Sequence, residues 1–182
     1  YAQTAPTDPK TYKNNEPYTV AAPPAPVNTY DEFGNVNGTW AFDGWDTAAG
    51  NITADLTVTG SWTYTETEVA SHGVTYSWTG LPDATLYDAA GNVVVPAAPS
   101  DPNAYVKGQR YEVKPAGYTV LYTHDEFGNA DASYTLGAWT DPNGGVMGEA
   151  DVEITAEWTS ATVPVDTWKI TYKWSDEAGK AP

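Results

Sequence analysis

Ala5-Pro6-Thr7-Asp8-Pro9 returns as Ala98-Pro99-Ser100-Asp101-Pro102, and the same landmarks then follow in the same order. Tyr12 answers to Tyr105, Tyr18 to Tyr111 and Val20 to Val113 at an offset of 93 residues, and Asp31-Glu32-Phe33-Gly34-Asn35 recurs as Asp125-Glu126-Phe127-Gly128-Asn129 at 94. Trp45 matches Trp139 at 94, while Asp55, Leu56, Val58 and Trp62 match Asp151, Val152, Ile154 and Trp158 at 96. Val74-Thr75-Tyr76-Ser77-Trp78 reappears as Ile170-Thr171-Tyr172-Lys173-Trp174, also at 96, so a third copy opens before the sequence ends. Self-similarity at a fixed period is the mark of a tandem array. The expected organisation is a first unit over 1–67 without its opening strand, a complete second unit over 68–163, and the opening strand of a third unit, or a donor strand, over 164–182.

Within the unit, strict alternation dominates. Leu56, Val58, Gly60, Trp62 and Tyr64 fall on one face and Asp55, Thr57, Thr59, Ser61 and Thr63 on the other, the period of a half-buried strand. The copy behaves alike, with Val152, Ile154, Ala156 and Trp158 facing inward. The opening strand reads Val74, Tyr76, Trp78 and again Trp168, Ile170, Tyr172, Trp174, with Thr, Ser or Lys between the rings. No segment sustains a 3.6-residue period over three turns, and 14 Pro with 16 Gly punctuate the chain. Tyr30 to Val36, Tyr87 to Val93 and His124 to Ala130 share an Asp followed three residues later by Gly, which suits a hairpin tip. Pro23, Pro24 and Pro26 keep Ala21 to Pro26 out of a sheet interior. The fold expected is all-β or β-rich: two tandem β-grasp-like or β-sandwich-like units of mainly antiparallel strands, with little helix.

Composition narrows the function classes. A net charge of −16 with only 8 Lys and Arg opposes a nucleic-acid partner, whose phosphates need cations. The acidity reads first as a solvated exterior. No stretch approaches the roughly 20 apolar residues that span a bilayer, so no membrane insertion is expected, and no basic-then-apolar leader opens the sequence. Zero Cys leaves no disulfide or thiol chemistry, and does not by itself place the chain in any compartment.

Catalytic candidates are few. His72 and His124 both read as loop residues, and pairs such as Asp31 with Glu32 or Asp43 with Asp46 arise readily among 24 acids, so no catalytic residue is assigned and no enzyme is expected. Asp141, Asn143 and the Gly144-Gly145 turn have the oxygen chemistry calcium takes, but the spacing does not complete an EF-hand loop. No metal site is assigned and no cofactor is expected. An isopeptide cross-link needs a buried Lys beside an acid, and the Lys residues here fall mostly at outward or turn positions. Exposed rings can stack on sugars; Trp45, Trp139 and Tyr118 are the aromatics best placed for such a glycan ligand, whereas Trp40, Trp62 and Trp78 share strand faces with Leu and Val and read as core.

Gly38-Thr39-Trp40-Ala41-Phe42-Asp43-Gly44-Trp45-Asp46, followed by Ile52 through Val58-Thr59-Gly60-Ser61-Trp62-Thr63-Tyr64, resembles the SHIRT-type repeat of bacterial surface adhesins. It is also similar to the listerial B-repeat and mucin-binding-repeat families, which share a β-grasp-like strand pattern. In the second copy Tyr134-Thr135-Leu136-Gly137-Ala138-Trp139-Thr140 departs from these landmarks. The resemblance implies an extracellular, wall-linked rod on a bacterial surface with no catalytic residues to carry over.

The two ends of the repeat are complementary. Residues 164–182 correspond to 68–86, the piece that the first unit lacks. The expectation is a donor strand of Trp168, Ile170, Tyr172 and Trp174 that pairs with the next molecule, where Trp40, Phe42, Leu56, Val58 and Trp62 line the acceptor core. Such a contact is heterologous and, where it does not close, makes a filament. The partner expected is the chain itself, in a head-to-tail assembly or tandem array, with a glycan or host surface as the rival.

Overall fold

The computed structural model describes residues 3–174, and among them the chain is all-β, with no helix. The strands in chain order begin with β1 (Pro17–Tyr18), β2 (Val27–Tyr30), β3 (Val36–Trp45), β4 (Gly50–Asn51) and β5 (Gly60–Glu66). Then come β6 (Ser71–His72), β7 (Val74–Thr79), β8 (Leu86–Tyr87), β9 (Val93–Val94) and β10 (Tyr105–Val106). The last are β11 (Arg110–Tyr111), β12 (Val120–His124), β13 (Ala130–Leu136), β14 (Gly145–Val146) and β15 (Val152–Thr162).

Two compact units form. Among the described residues, one holds 3–72, Ala104–Arg110 and Val146–Ala150; the other holds Gly73–Asn103, Tyr111–Gly145 and 151–174. Packing therefore interleaves segments that the sequence period assigns to separate copies.

In the first unit, β3 lies between β2 and β5 in a three-stranded antiparallel sheet. The β2–β3 tip is set by Asp31, whose carboxylate accepts from the Phe33 and Asn35 amides and from Asn35 Nδ2, while Gly34 takes φ of 88°. The side-chain amide of Asn35, with the backbone amides, holds the Asp31 carboxyl below the usual range. Short ladders pair β1 with β4 and β6 with β10; beside the latter, Tyr105 and Met147 are buried. The rings of the three-stranded sheet are covered only in part. Trp40, Phe42, Trp45 and Trp62 are half-buried, and Leu56 and Tyr64 are 43% and 42% exposed. For Leu56 and Tyr64 the inward face expected from alternation is not realised.

In the second unit the same meander, β12-β13-β15, is completed on both sides. The sheet runs β7-β15-β13-β12-β8-β9, and β7 joins β15 in parallel from Val152↔Val74 to Glu157↔Thr79. β11 pairs with β14. Leu121, Ile154 and Trp158 are 0%, 0% and 2% exposed, and Trp78, Tyr118 and Tyr134 pack against the Leu86, Leu121 and Trp158 cluster. The Asp turns recur at Asp88 to Asn92 and Asp125 to Asn129, with Gly91 and Gly128 at φ of 83° and 86°. All three hairpin tips anticipated by the Asp-to-Gly spacing are present.

The repeat is legible in the registers themselves. Phe42↔Trp62 matches Leu136↔Trp158, and the bulge between Thr29 and Tyr30 matches that between Thr123 and His124. His124 departs from the solvent-facing loop expected of it: it ends β12, half-buried, with its ring stacked on Tyr87 at 3.9 Å and 10°.

Candidate strand-acceptor site

β5 is an edge of its sheet, and its counterpart β15 is not. The difference begins at the backbone. β15 starts at Val152 and runs 11 residues, whereas β5 starts at Gly60, and Asp55 to Thr59, the counterparts of Asp151 to Thr155, form no strand. The inner side of this stretch is nevertheless set alike in both units. Thr59 exchanges backbone hydrogen bonds with the Asp46 amide at 2.8 Å and the Asp46 carboxylate at 2.9 Å; its counterpart Thr155 does so with the Thr140 amide at 2.8 Å and the Thr140 hydroxyl at 3.0 Å. The Asp46 carboxyl is held below the usual range by that Thr59 amide.

Beside this edge lies an open cavity of about 900 Å3, lined by Trp45, Ile52, Leu56 and Val58 on one part and by Tyr12, Tyr18 and Ala21 on another. The rings around it are held by their polar ends. Trp45 Nε1 donates to the Ala21 carbonyl at 2.8 Å, Tyr18 Oη to Ala48 at 3.0 Å and Tyr12 Oη to Asp8 at 2.7 Å. Phe42 packs edge-on to both Trp45 and Trp62, with centroids 4.9 and 5.3 Å apart. In the second unit the corresponding space is occupied. Tyr76 meets Trp139 edge-on at 5.5 Å, Trp78 stacks on Trp139 at 6.2 Å and 18°, and Trp78 meets Trp158 edge-on at 5.7 Å. The Lys114 amide donates to Tyr76 Oη at 2.9 Å, and the Gly73 amide to the Asp151 carboxylate at 2.8 Å.

The sequence-assigned residues fall as follows. Leu56 and Val58 line the cavity, Phe42 and Trp62 stand behind Trp45, and Trp40 packs farther along the sheet against Tyr64 at 5.1 Å. Trp168, Ile170, Tyr172 and Trp174 form no strand and are 88%, 82%, 90% and 90% exposed. The rest of the stretch expected as an opening strand, 175–182, lies outside the described residues. Of the three aromatics assigned to a glycan, Trp45 borders the cavity, Trp139 is packed between Tyr76 and Trp78, and Tyr118 rests on the second unit's core. Asp141, weighed as a calcium ligand, accepts a 2.7 Å hydrogen bond from the Tyr111 hydroxyl. Tyr12 and Tyr18 entered the sequence reading only as landmarks of the repeat and Ala21 only as the start of a Pro-rich stretch, although Ala21 aligns with Lys114 and so marks the amide that meets a tyrosine in the other unit.

No protein-family model matches the chain, and no curated protein matches it. Among solved structures it is similar to Streptococcal High Identity Repeats in Tandem (SHIRT) domains 3-4 from a cell surface protein. The identity is 17%, with 87% of this chain and 85% of that chain covered and a TM-score of 0.35, a distant similarity.

Proposed function

We propose that the chain is a non-catalytic structural repeat protein of a bacterial surface, a stalk or filament subunit whose copies join head to tail by strand complementation. The observation that carries this reading is the contrast between two equivalent edges. β15 is covered by β7, β5 is an uncovered edge whose preceding residues Asp55, Leu56 and Val58 border a cavity, and a stretch of β7-like sequence stands exposed at the far end of the described chain. An uncovered edge is a template for another strand, and proteins that keep one generally use it or blunt it.

Several features support a structural rather than a chemical role. Asp31, Asp46, Asp88 and Asp125 are tied to turn and loop amides that hold their carboxyls below the usual pKa range, the opposite of what a general acid needs. The His124 ring is stacked on Tyr87. No cofactor or metal enters this reading. The surface location rests on the sequence resemblance of residues 38–64 and on the acidic exterior.

Light scattering over a concentration series tests it. The intact chain should grow in mass with concentration, and a chain ending at Val163 should stay small. Equal masses for the two at every concentration would refute assembly. Tyr12, Tyr18 and Trp45 around the same cavity favour one rival, a glycan-binding module. That reading predicts saturable binding of a pyranose oligosaccharide by calorimetry, abolished in Trp45→Ala, with no dependence on residues 164–182.

A further inference from the structure

We infer that the cavity beside β5 is a register-specific socket for Ile170 to Trp174 of a second copy, entering parallel to β5 with Tyr172 and Trp174 as its anchors. The inference rests on the assembly reading above and specifies its geometry. The second unit supplies the template, because each acceptor position there already has its partner. Val152↔Val74, Ile154↔Tyr76 and Ala156↔Trp78 translate through the repeat to Leu56↔Ile170, Val58↔Tyr172 and Gly60↔Trp174.

Three independent features of the first unit agree with that translation. Trp45 stands where Trp139 stands, so Tyr172 would meet it edge-on and Trp174 would stack on it, as Tyr76 and Trp78 do with Trp139. Trp62 is placed to receive Trp174 edge-on, as Trp158 receives Trp78. Both acceptor rings are half-buried here, whereas the Trp158 ring under a docked strand is 2% exposed.

Polar groups complete the match. The Ala21 amide corresponds to the Lys114 amide that donates to Tyr76 Oη, and becomes the donor for Tyr172 Oη. Asp55 corresponds to Asp151, whose carboxylate takes the Gly73 amide, and so receives the amide of Lys169. Lys169 and Lys173 bring positive charge to an edge flanked by Asp43, Asp46 and Asp55, in a chain with only 8 Lys and Arg. Docking also gives Asp55 to Thr59 the ladder they lack, extending β5 to the reach of β15.

Cysteine pairing reads the register directly, since the chain has no Cys of its own. Thr57 and Thr171 correspond to the exposed, directly opposed pair Glu153 and Thr75. A chain carrying Thr57→Cys and Thr171→Cys, oxidised at an assembling concentration, should give a ladder of disulfide-linked dimers, trimers and higher species that collapses on reduction. A chain carrying Thr63→Cys with Thr171→Cys, far off register, should give about tenfold less, because opposed strand residues meet disulfide geometry and distant ones do not. Light scattering on the same samples separates the failures. Assembly without a preferred cysteine pair overturns the register and leaves the assembly reading standing. Neither assembly nor a ladder overturns both, and a fast-migrating oxidised monomer overturns the second copy as occupant.

Discussion

At the scale of single residues, the two units differ by a compensated exchange. Phe42 takes the place of Leu136, and Gly60 the place of Ala156. A β-carbon on Gly60 would stand 2.6 Å from Phe42 Cε2 and 2.8 Å from Trp45 Cζ3, so the larger ring requires the smaller neighbour. Gly60→Ala should therefore lower stability by about 1–3 kcal/mol, and Phe42→Leu in the same chain should recover part of it. Chemical denaturation of the double-mutant cycle measures this; strictly additive losses would contradict the exchange. Gly80 is constrained differently, with φ of 91° and a β-carbon position that collides with the Trp158 carbonyl. Gly91, at φ of 83°, has open space around it. Gly91→Ala should cost about 1 kcal/mol from backbone strain alone, and Gly80→Ala measurably more. Gly91 was marked in the sequence by the Asp three residues before it, whereas the constraints on Gly60 and Gly80 were not, because they come from neighbours distant in the chain.

At the scale of elements, pH acts through the hairpin tips. Side-chain amides of Asn35, Asn92 and Asn129, and then backbone amides, hold Asp31, Asp88 and Asp125 below the ordinary carboxylate range. A depressed acid stabilises the fold above its unfolded value, about 4, and that contribution is lost as pH falls through the lower folded value. Tyr111 has the opposite sign. The hydrogen bond to Asp141 pushes it up to about 12, so its contribution is present below about pH 10 and is lost as pH rises from there towards 12. Thermal melts should be level near neutrality and fall at both extremes; Asp141→Asn should remove the alkaline loss, a change read from the midpoint above pH 10. The strands behind these turns were legible because alternation has a period of two, and the turns because Asp and Gly recur at fixed spacing. Burial was not legible. Leu56 and Val152 carry the same pattern, yet Leu56 stays exposed because the strand that would cover it is not on its edge.

At the scale of the whole molecule, the repeat makes one unit a template for the other, and the proposed strand complementation takes β7 on β15 as its pattern. Trp158→Ala should cost the second unit about 3–5 kcal/mol, because that ring is already enclosed. Trp62→Ala should cost an isolated chain less, since its ring is half-buried where that of Trp158 is enclosed, and on the proposed assembly it should abolish growth in mass with concentration. The correspondence of 164–182 to 68–86 was legible as sequence; the grouping of Trp45, Ala21 and Asp55 around one cavity was not, because it is assembled from three stretches that only the fold brings together. The central claim concerns Leu56, Val58 and Gly60, and amide hydrogen exchange at these residues tests it most directly. In the assembled intact chain they should exchange at least about tenfold more slowly than in a chain ending at Val163, as ladder amides do. Equal exchange at these amides in the two samples would contradict strand complementation at β5.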